Sequence, residues 1–210
     1  MGKITDVTRQ KKKETRVSIF VDGEFVCGLD ELTFAQSRIA IGDEIEIDEL
    51  MEICKESEKR IAFDKAVKYI AYRQRTKKEV RTHLREKGYL PQSVDYAVDK
   101  LCEYGYLDDY RFCREYVAVY ASRVGVKKMR MDMMRLGADK NAIDEALNAI
   151  EEQEDAAYKT AQKYVRTHKN FNAMKLKAYL YSRGFNGDDI SSATQRICDE
   201  IGEDSDDDYE

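Results

Sequence analysis

The sequence repeats one helix-turn-helix pattern three times, and this repetition limits the possible fold more than any other feature. In each copy, apolar residues stand eight and four positions before a glycine, and small or apolar residues follow it after six, nine and thirteen positions. The glycines are Gly88, Gly137 and Gly184, with spacings of 49 and 47 residues, which are typical of helical repeats. Because units of this length cannot bury their own apolar stripes, neighbouring copies must pack together. The pattern predicts an extended α-helical body.

Each repeat is expected to hold three helices. The glycines suit the position just after a helix, where the left-handed backbone favours glycine. Thr76 is a predicted N-cap, and Pro91 suits the first turn of a helix. The predicted helices are 50–73, 77–87 and 91–104 in the first repeat, 109–123, 126–136 and 140–152 in the second, and 155–167, 172–183 and 187–201 in the third.

The first 56 residues have a different, β-rich pattern. Two runs rich in β-branched and aromatic residues, 16–21 and 24–27, are joined by Asp22-Gly23, which is a strong hairpin signal. Ile4–Thr8 is a candidate third strand, 41–48 alternates like a strand, and Leu29–Ser37 resembles a short helix capped by Asp30. The predicted domains are a β-rich module 1–56, repeats 57–107, 108–153 and 154–202, and an acidic disordered tail 203–210.

The charge of the chain is segregated. The formal net charge is −5, yet the windows 65–90, 111–140 and 159–183 carry net charges of +7, +5 and +7. Acidic residues collect between these windows and at the C-terminus. Since the local field governs binding, an acidic chain of this kind remains compatible with an anionic partner.

Other residue types exclude several classes of protein. The five cysteines are widely spaced and form no C-x-x-C pair, so we expect reduced thiols in a cytoplasmic protein. No apolar run approaches membrane-spanning length. His83 and His168 lie in different repeats without neighbouring ligands, and no phosphate-binding glycine loop is present. We therefore expect no metal, no cofactor and no catalytic site; for Asp108-Asp109 we expect that one of the two caps a helix.

Basic residues recur at one position of the repeat. Seven residues before each glycine stands Arg81, Arg130 or Lys177, about 100° around the helix from the packed stripe. This slot is either an ordinary solvated face or a cationic track for phosphates or an acidic protein surface. The candidate partner- or nucleic-acid-binding residues are Arg73, Arg75, Lys77, Lys78, Arg81, Arg85, Arg111, Arg114, Lys127, Lys128, Arg130, Lys175 and Lys177.

Aromatic and methionine residues accompany these cations. All fourteen tyrosines follow residue 60, and four methionines lie between 129 and 134. Core packing accounts for most of them, while a minority could stack on bases or form a contact surface.

Two stretches of the chain resemble the RecX regulatory proteins of bacteria. The first comprises Ala66, Tyr69, Arg73, Arg75, Thr76, Glu79, Val80, Leu84, Lys87 and Gly88. The second, more specific one runs from Leu101 through Gly105-Tyr106-Leu107-Asp108-Asp109 to Arg111-Phe112. The β-rich module looks like the extension of the longer members from Gram-positive bacteria. The link at Val124-Gly125-Val126 is shorter than is usual in the family.

The resemblance implies a mainly α protein in which three tandem three-helix repeats form an elongated, curved array after the β-rich module. It also implies a monomeric, non-enzymatic modulator of RecA that binds the groove of the RecA–single-stranded DNA filament. Such a protein would limit recombinase, ATPase and co-protease activities, and so act in homologous recombination, DNA repair and the SOS response.

Two functions from different classes therefore remain open. The first is regulation of a RecA filament, with single-stranded and also double-stranded DNA as candidate nucleic-acid partners. The second is direct nucleic-acid binding by a helical-repeat protein that has no RecA partner. Binding through phosphates alone should weaken steeply with salt, whereas binding to a protein filament should retain a salt-resistant part.

Overall fold

The computed structural model describes residues 1–10, 13–150, 152–168 and 172–206. The chain folds as two compact units, residues 1–107 and 108–210. Among the described residues, the first unit holds an antiparallel sheet with one short and three longer helices, and the second holds six helices. The prediction of a mainly α protein, with three-helix repeats after a β-rich module, is confirmed.

The N-terminal module is a four-stranded antiparallel sheet in the order β3-β2-β1-β4. Its elements are β1 (Gly2–Gln10), β2 (Lys13–Val21), β3 (Glu24–Asp30), α1 (Glu31–Ser37) and β4 (Glu44–Ile45). The predicted hairpin is confirmed, because Asp22 and Gly23 both have positive φ between β2 and β3. Asp30 caps α1 by accepting hydrogen bonds from the amides of Leu32 and Thr33.

The predicted strand at 41–48 is correct only at Glu44–Ile45, because the helix α2 (Ile47–Ile70) already begins at residue 47. Alternation in so short a run does not distinguish a strand from a helix start. The helix α2 also crosses the predicted module boundary at 56/57. Leu50 belongs to the apolar core under the sheet, whereas Ala62 and Ala66 belong to the core of the first repeat.

Cys27 of β3 and Cys54 of α2 form a disulfide in the structure. The expectation that all five cysteines are reduced thiols is therefore wrong for this pair. The two residues are 27 positions apart in sequence, and only the packing of α2 against β3 brings them together. Cys102, Cys113 and Cys198 lie outside this disulfide and carry thiol groups, as expected.

The nine helices of the three repeats match the predicted ones closely. The remaining eight after α2 are α3 (Lys77–Glu86), α4 (Pro91–Glu103), α5 (Asp109–Tyr120), α6 (Val126–Leu136), α7 (Lys140–Asn148), α8 (Glu154–Thr167), α9 (Ala173–Ser182) and α10 (Gly187–Asp206). The helix α10 occupies four residues that the sequence assigned to a disordered tail, since no proline interrupts it; 207–210 lie outside the described residues.

The glycine register is confirmed in all three repeats. Gly88, Gly137 and Gly184 have φ values of 83°, 76° and 88° and end the second helix of each repeat. The flanking apolar positions form three separate cores. They are Val80, Leu84, Val94, Ala97 and Leu101; Met129, Met133, Ile143 and Ala146; and Leu176, Leu180, Ile190, Ala193 and Ile197.

Repeats two and three are joined through backbone atoms. The amide of Gly125 donates to the carbonyl of Arg183 at 2.9 Å, and the amide of Lys127 donates to the carbonyl of Gly184 at 3.2 Å. The buried Gln153 accepts from the amide of Val126 and donates to the carbonyls of Ala121 and Val124. The short link of repeat two is thus a tight joint, and its glycine allows the close approach.

Candidate nucleic-acid and partner interface

The repeated basic slot forms intramolecular ion pairs in two of the three repeats. Arg81 of α3 contacts Asp95 of α4 at 3.4 Å, and Arg130 of α6 contacts Asp144 of α7. Both aspartates stand seven positions after the repeat glycine. At the same position in repeat three the chain has Ser191, so Lys177 has no carboxylate there. In repeats one and two, the cation at this position therefore forms an ion pair between two helices. In repeat three, Lys177 has no ion pair among the described residues.

The basic residues before α3 also have a structural role. Arg73 and Arg75 both contact the carboxylate of Glu79, at 2.5 and 3.2 Å. Glu79 accepts from the amide of Thr76 while the Thr76 hydroxyl accepts from the amide of Glu79, which completes a capping box. The guanidinium of Arg75 lies 4.2 Å from the ring centroid of Tyr69. The predicted N-cap is confirmed, and these two arginines hold the helix start in place.

Three further candidates lie beside carboxylates on the surface of repeat two. The pairs are Arg111–Glu115 at 4.0 Å, Arg114–Glu145 at 3.6 Å and Lys128–Asp132 at 3.8 Å. Exposed pairs of this kind contribute about 0–1 kcal/mol and exchange readily with another anion. These residues keep their positive charge near the surface, but their own neighbours compensate it.

Five of the sequence candidates have no ion pair in the part of the chain that the structure describes. They are Lys78, Arg85, Lys127, Lys175 and Lys177, and all five are exposed. Lys77 is half-buried at the first position of α3. The unpaired cations occur on the second helix of every repeat, namely α3, α6 and α9. The sequence predicted the helices that carry these cations, but it could not separate the unpaired cations from their paired neighbours.

Repeat three adds cations that the sequence placed in a basic window without selecting them. Lys159, Lys163 and Arg166 are exposed on α8, and none forms an ion pair with a described carboxylate. Their signal in the sequence was the absence of any acidic residue between 159 and 183. Together with Lys175 and Lys177 they make repeat three the least compensated part of the cationic surface.

Exposed rings and thioethers lie on the same helical repeats. The side chains of Tyr72 and Tyr181 are 89% and 70% exposed, which leaves their faces available to a partner. In α6, Met129 and Met133 are fully buried, whereas Met131 and Met134 are 70% and 60% exposed. The expectation that core packing accounts for most of them is therefore met by only two of the four methionines of α6, and the exposed side chains could contact a partner.

The two histidines stack on tyrosines. The ring of His83 lies 3.9 Å from that of Tyr69, and His168 lies 4.0 Å from Tyr164, measured between centroids. Burial, followed by the positive charges of Lys87 and Lys65, lowers the pKa of His83, so that it is neutral near pH 7. Within the described ranges no three His, Cys, Asp or Glu side chains are grouped as metal ligands would be.

The Asp108-Asp109 corner has two different structural roles. Asp108 is the N-cap of α5 and accepts from the amides of Tyr110 and Arg111 at 2.8 and 3.3 Å, as the sequence predicted for one of the pair. Asp109 is buried and accepts from the amide of Asp139 at 3.0 Å. Burial, followed by the charges of Asp109, Asp139 and Asp108, raises the pKa of the Cys113 thiol to about 11. Such a thiol is a poor nucleophile at neutral pH.

None of the described helices is both long and apolar enough to cross a membrane. Exposed cations and exposed tyrosines lie on the helical repeats of each unit, and exposed methionines lie on α6.

Comparison with known proteins identifies the family. Residues 2–46 match the regulatory protein RecX N-terminal domain, 62–101 match the first RecX three-helix domain, and 151–194 match the third. The regulatory protein RecX of Bacillus licheniformis is 31% identical over 203 residues, covering 93% of this chain and 77% of that protein. The regulatory protein RecX of Clostridium tetani is 29% identical over 206 residues, covering 94% and 95%.

Solved structures agree in fold. A crystal structure of regulatory protein RecX matches with a TM-score of 0.67 and 23% identity over 93% of this chain and all of that chain. RecX from Lactobacillus salivarius matches with a TM-score of 0.59 and 22% identity over 67% of this chain and 96% of that chain. From its sequence relatives and its domain matches, the chain belongs to the RecX family of regulatory proteins.

Proposed function

We propose that this protein binds the RecA–single-stranded DNA filament and lowers its recombinase, ATPase and co-protease activities. Membership of the RecX family supports the proposal, and the unpaired cations on α3, α6 and α9 are the observation that carries it. A filament presents an anionic strand and repeated protein subunits, and several weak contacts to such a target add up to strong binding. The proposed role needs no catalytic step in this chain and takes place in the cytoplasm, where RecA acts.

The contacts are assigned to the cations that have no intramolecular carboxylate. Lys127, Lys175 and Lys177 are the clearest in the second unit, with Lys78 and Arg85 in the first. Arg81 and Arg130 support their repeats instead, because their guanidinium groups are already bound to Asp95 and Asp144. A partner would have to break those pairs before it could use the two arginines.

The test is single-stranded-DNA-dependent ATP hydrolysis by the cognate RecA, titrated with this protein at ratios well below one per RecA. We expect the wild type to lower hydrolysis at such ratios. The triple variant Lys127→Gln, Lys175→Gln, Lys177→Gln should need a several-fold higher concentration for the same effect, because each exposed contact contributes up to about 1 kcal/mol. Unchanged RecA hydrolysis at every ratio of the wild type would reject the proposal.

A control variant removes the same charge from other places. Lys55, Lys59 and Lys100 are paired with Glu52, Glu56 and Glu103 on α2 and α4. Changing these three lysines to Gln lowers the net charge by the same amount. Because they are not among the cations assigned to the contact, inhibition should stay at the wild-type level. Equal loss of inhibition in both triple variants would mean that overall charge, and not the unpaired cations, governs the effect.

Direct nucleic-acid binding without RecA is the second candidate. The exposed Tyr72 and Tyr181 favour it, because exposed rings beside cations can stack on bases of a single strand. Binding to naked DNA that weakens steeply with salt, with no effect on RecA hydrolysis in the same buffer, would select this function over the first.

A further inference from the structure

A cleft of about 620 Å³ lies within the first unit, between the sheet module and the first repeat. Its walls come from β2, the start of α1, the middle of α2 and the loop after α3. This volume is within the range of sites that hold small molecules, roughly 300–1,000 Å³. None of the cleft residues is among those assigned to the RecA contact above.

The cleft is lined by four cations that have no carboxylate partner among the described residues: Arg16, Lys65, Lys68 and Lys87. Lys65 and Lys68 are three residues apart on α2 and so project from neighbouring positions of one helix face. Lys87 is the C-cap of α3 and approaches from a different element. Lys65, Lys68 and Lys87 thus bring positive charge to the cleft from two elements.

The carboxylates of the cleft compensate this charge only in part. Asp30 is engaged as the cap of α1 and by the hydroxyl of Ser57, which donates to it at 3.0 Å. Glu31 forms an ion pair with Arg9. Neither Asp30 nor Asp64 forms an ion pair among the described residues, so the four cations of the cleft exceed its three carboxylates by one charge.

The side of the cleft formed by the sheet module holds an arginine with unsatisfied donors. Arg16 donates through Nη2 to the carbonyl of Gly28 at 3.3 Å, while its Nε is buried without an acceptor. A buried charged donor without a partner is unfavourable, and an anion in the cleft would offset part of that cost. The positive charge of the cleft also affects His83. Burial lowers the pKa of His83 most, and the positive charges of Lys87 and Lys65 lower it further.

Apolar atoms complete the cleft. Leu32 and Ile61 line it, together with the half-buried Tyr89. An inorganic anion would leave these groups without a partner, whereas a nucleotide unit has a sugar and a base to cover them. A nucleotide therefore matches the cleft in charge, in size and in its apolar part.

We propose that this cleft binds one nucleotide unit, with its phosphate held by Lys65, Lys68 and Lys87 and its sugar or base against Leu32, Ile61 and Tyr89. The unit is either part of a single nucleic-acid strand or a free nucleotide. The proposal does not depend on the RecA function, because RecA takes no part in the binding.

The test measures binding without RecA at low salt, using a fluorescein-labelled thymidine 15-mer and, separately, ATP. The double variant Lys65→Gln, Lys68→Gln should weaken binding of the responding probe roughly tenfold. If the 15-mer responds, the slope of log affinity against log salt should fall by up to about 0.7, the value for one phosphate contact. The control Lys55→Gln, Lys59→Gln removes the same charge from α2 outside the cleft and should bind like the wild type.

The two probes separate the two sources. Binding of the 15-mer that depends on Lys65 and Lys68 and that excess ATP does not displace would identify a unit within a strand. Binding of ATP that depends on the same lysines would identify a free nucleotide. Wild-type protein that binds neither probe, or a double variant that binds both as the wild type does, would overturn the proposal. Either negative result, alongside normal inhibition of RecA hydrolysis, would leave the proposed function intact.

Discussion

Replacement of Gly125 by alanine should separate the joint between repeats two and three. A Cβ atom at this position would lie 2.1 Å from the carbonyl carbon and oxygen of Gly184 and 2.2 Å from the amide nitrogen of Phe185. These neighbours are backbone atoms, so no rotamer change relieves the clash. Restoring an ordinary contact of 3.4 Å requires the two segments to move apart by about 1.3 Å.

That movement would break the hydrogen bonds of the joint. The bond from the Gly125 amide to the Arg183 carbonyl, now 2.9 Å, would lengthen to about 4.2 Å, and the bond from Lys127 to Gly184 starts at 3.2 Å. Two lost hydrogen bonds cost about 1–3 kcal/mol together, and overpacking adds about 1–3 kcal/mol. We expect a loss of about 2–6 kcal/mol in the free energy of unfolding of the second unit, with a fall in Tm of at least about 8 °C.

Gly187→Ala is the matched control. Gly187 opens α10, and a Cβ there meets nothing within 4 Å. This substitution should therefore be neutral or stabilise the protein by up to about 1 kcal/mol. Urea and thermal unfolding of the wild type and both variants, followed by far-ultraviolet circular dichroism, checks the difference. The reasoning is refuted if Gly125→Ala costs less than about 1 kcal/mol, or if both variants change stability equally.

Three other measurements test separate parts of the structure. Thr76→Ala removes the hydroxyl of the capping box and should lower stability by about 0.5–2 kcal/mol, while Thr76→Ser should restore it; equal losses in both would argue against the cap. In native protein without reductant, Ellman's reagent at pH 8 should react promptly with Cys102 and Cys198. It should react with the buried Cys113 only after unfolding, and with Cys27 and Cys54 only after reduction. Five promptly reacting thiols would contradict the structure. Burial raises the pKa of Asp30, but hydrogen bonds from Thr33 and Ser57 outweigh it, so its pKa is lowered on folding. Its stabilisation is therefore present above about pH 4 and lost as the pH falls further, so the difference in stability between the wild type and Asp30→Asn should shrink from pH 7 to pH 3.

Most of the helical architecture could be predicted because it depends on local signals. Gly88, Gly137 and Gly184 end helices at fixed intervals, and apolar residues at helical spacing around them form the three cores. A glycine with positive φ and an apolar periodicity are properties of short segments, which sequence alone displays. The Asp22-Gly23 hairpin was predictable for the same reason.

Pairing between distant residues could not be predicted in the same way. The disulfide of Cys27 and Cys54 depends on how α2 packs against β3, which no spacing in the sequence reveals. The pairing of Arg81 with Asp95 likewise depends on the angle between α3 and α4. A signal for it did exist, because an aspartate recurs seven positions after the glycine in repeats one and two. It could have been used by comparing the polar positions of the repeats as well as the apolar ones.

The sequence predicted on which helices the cations lie, but not which individual cations are compensated. Composition located the cations on the right elements, since basic windows coincide with α3, α6 and the two helices α8 and α9. Whether a given cation is compensated depends on carboxylates brought close by packing, as Asp144 is to Arg130. This distinction decides which lysines and arginines are available to a partner.

The buried carboxylate of Asp109 has a consequence for the electrostatics of repeat two. Asp109 is the first residue of α5, and it accepts a hydrogen bond from the amide of Asp139, the N-cap of α7. Asp109 therefore adds a negative charge near the positive ends of both helix dipoles, beside the capping carboxylates of Asp108 and Asp139, and this stabilises both helices. Two helices that are thirty residues apart in sequence thus share one of their counter-charges, so neutralising Asp109 would weaken the first turns of both helices together.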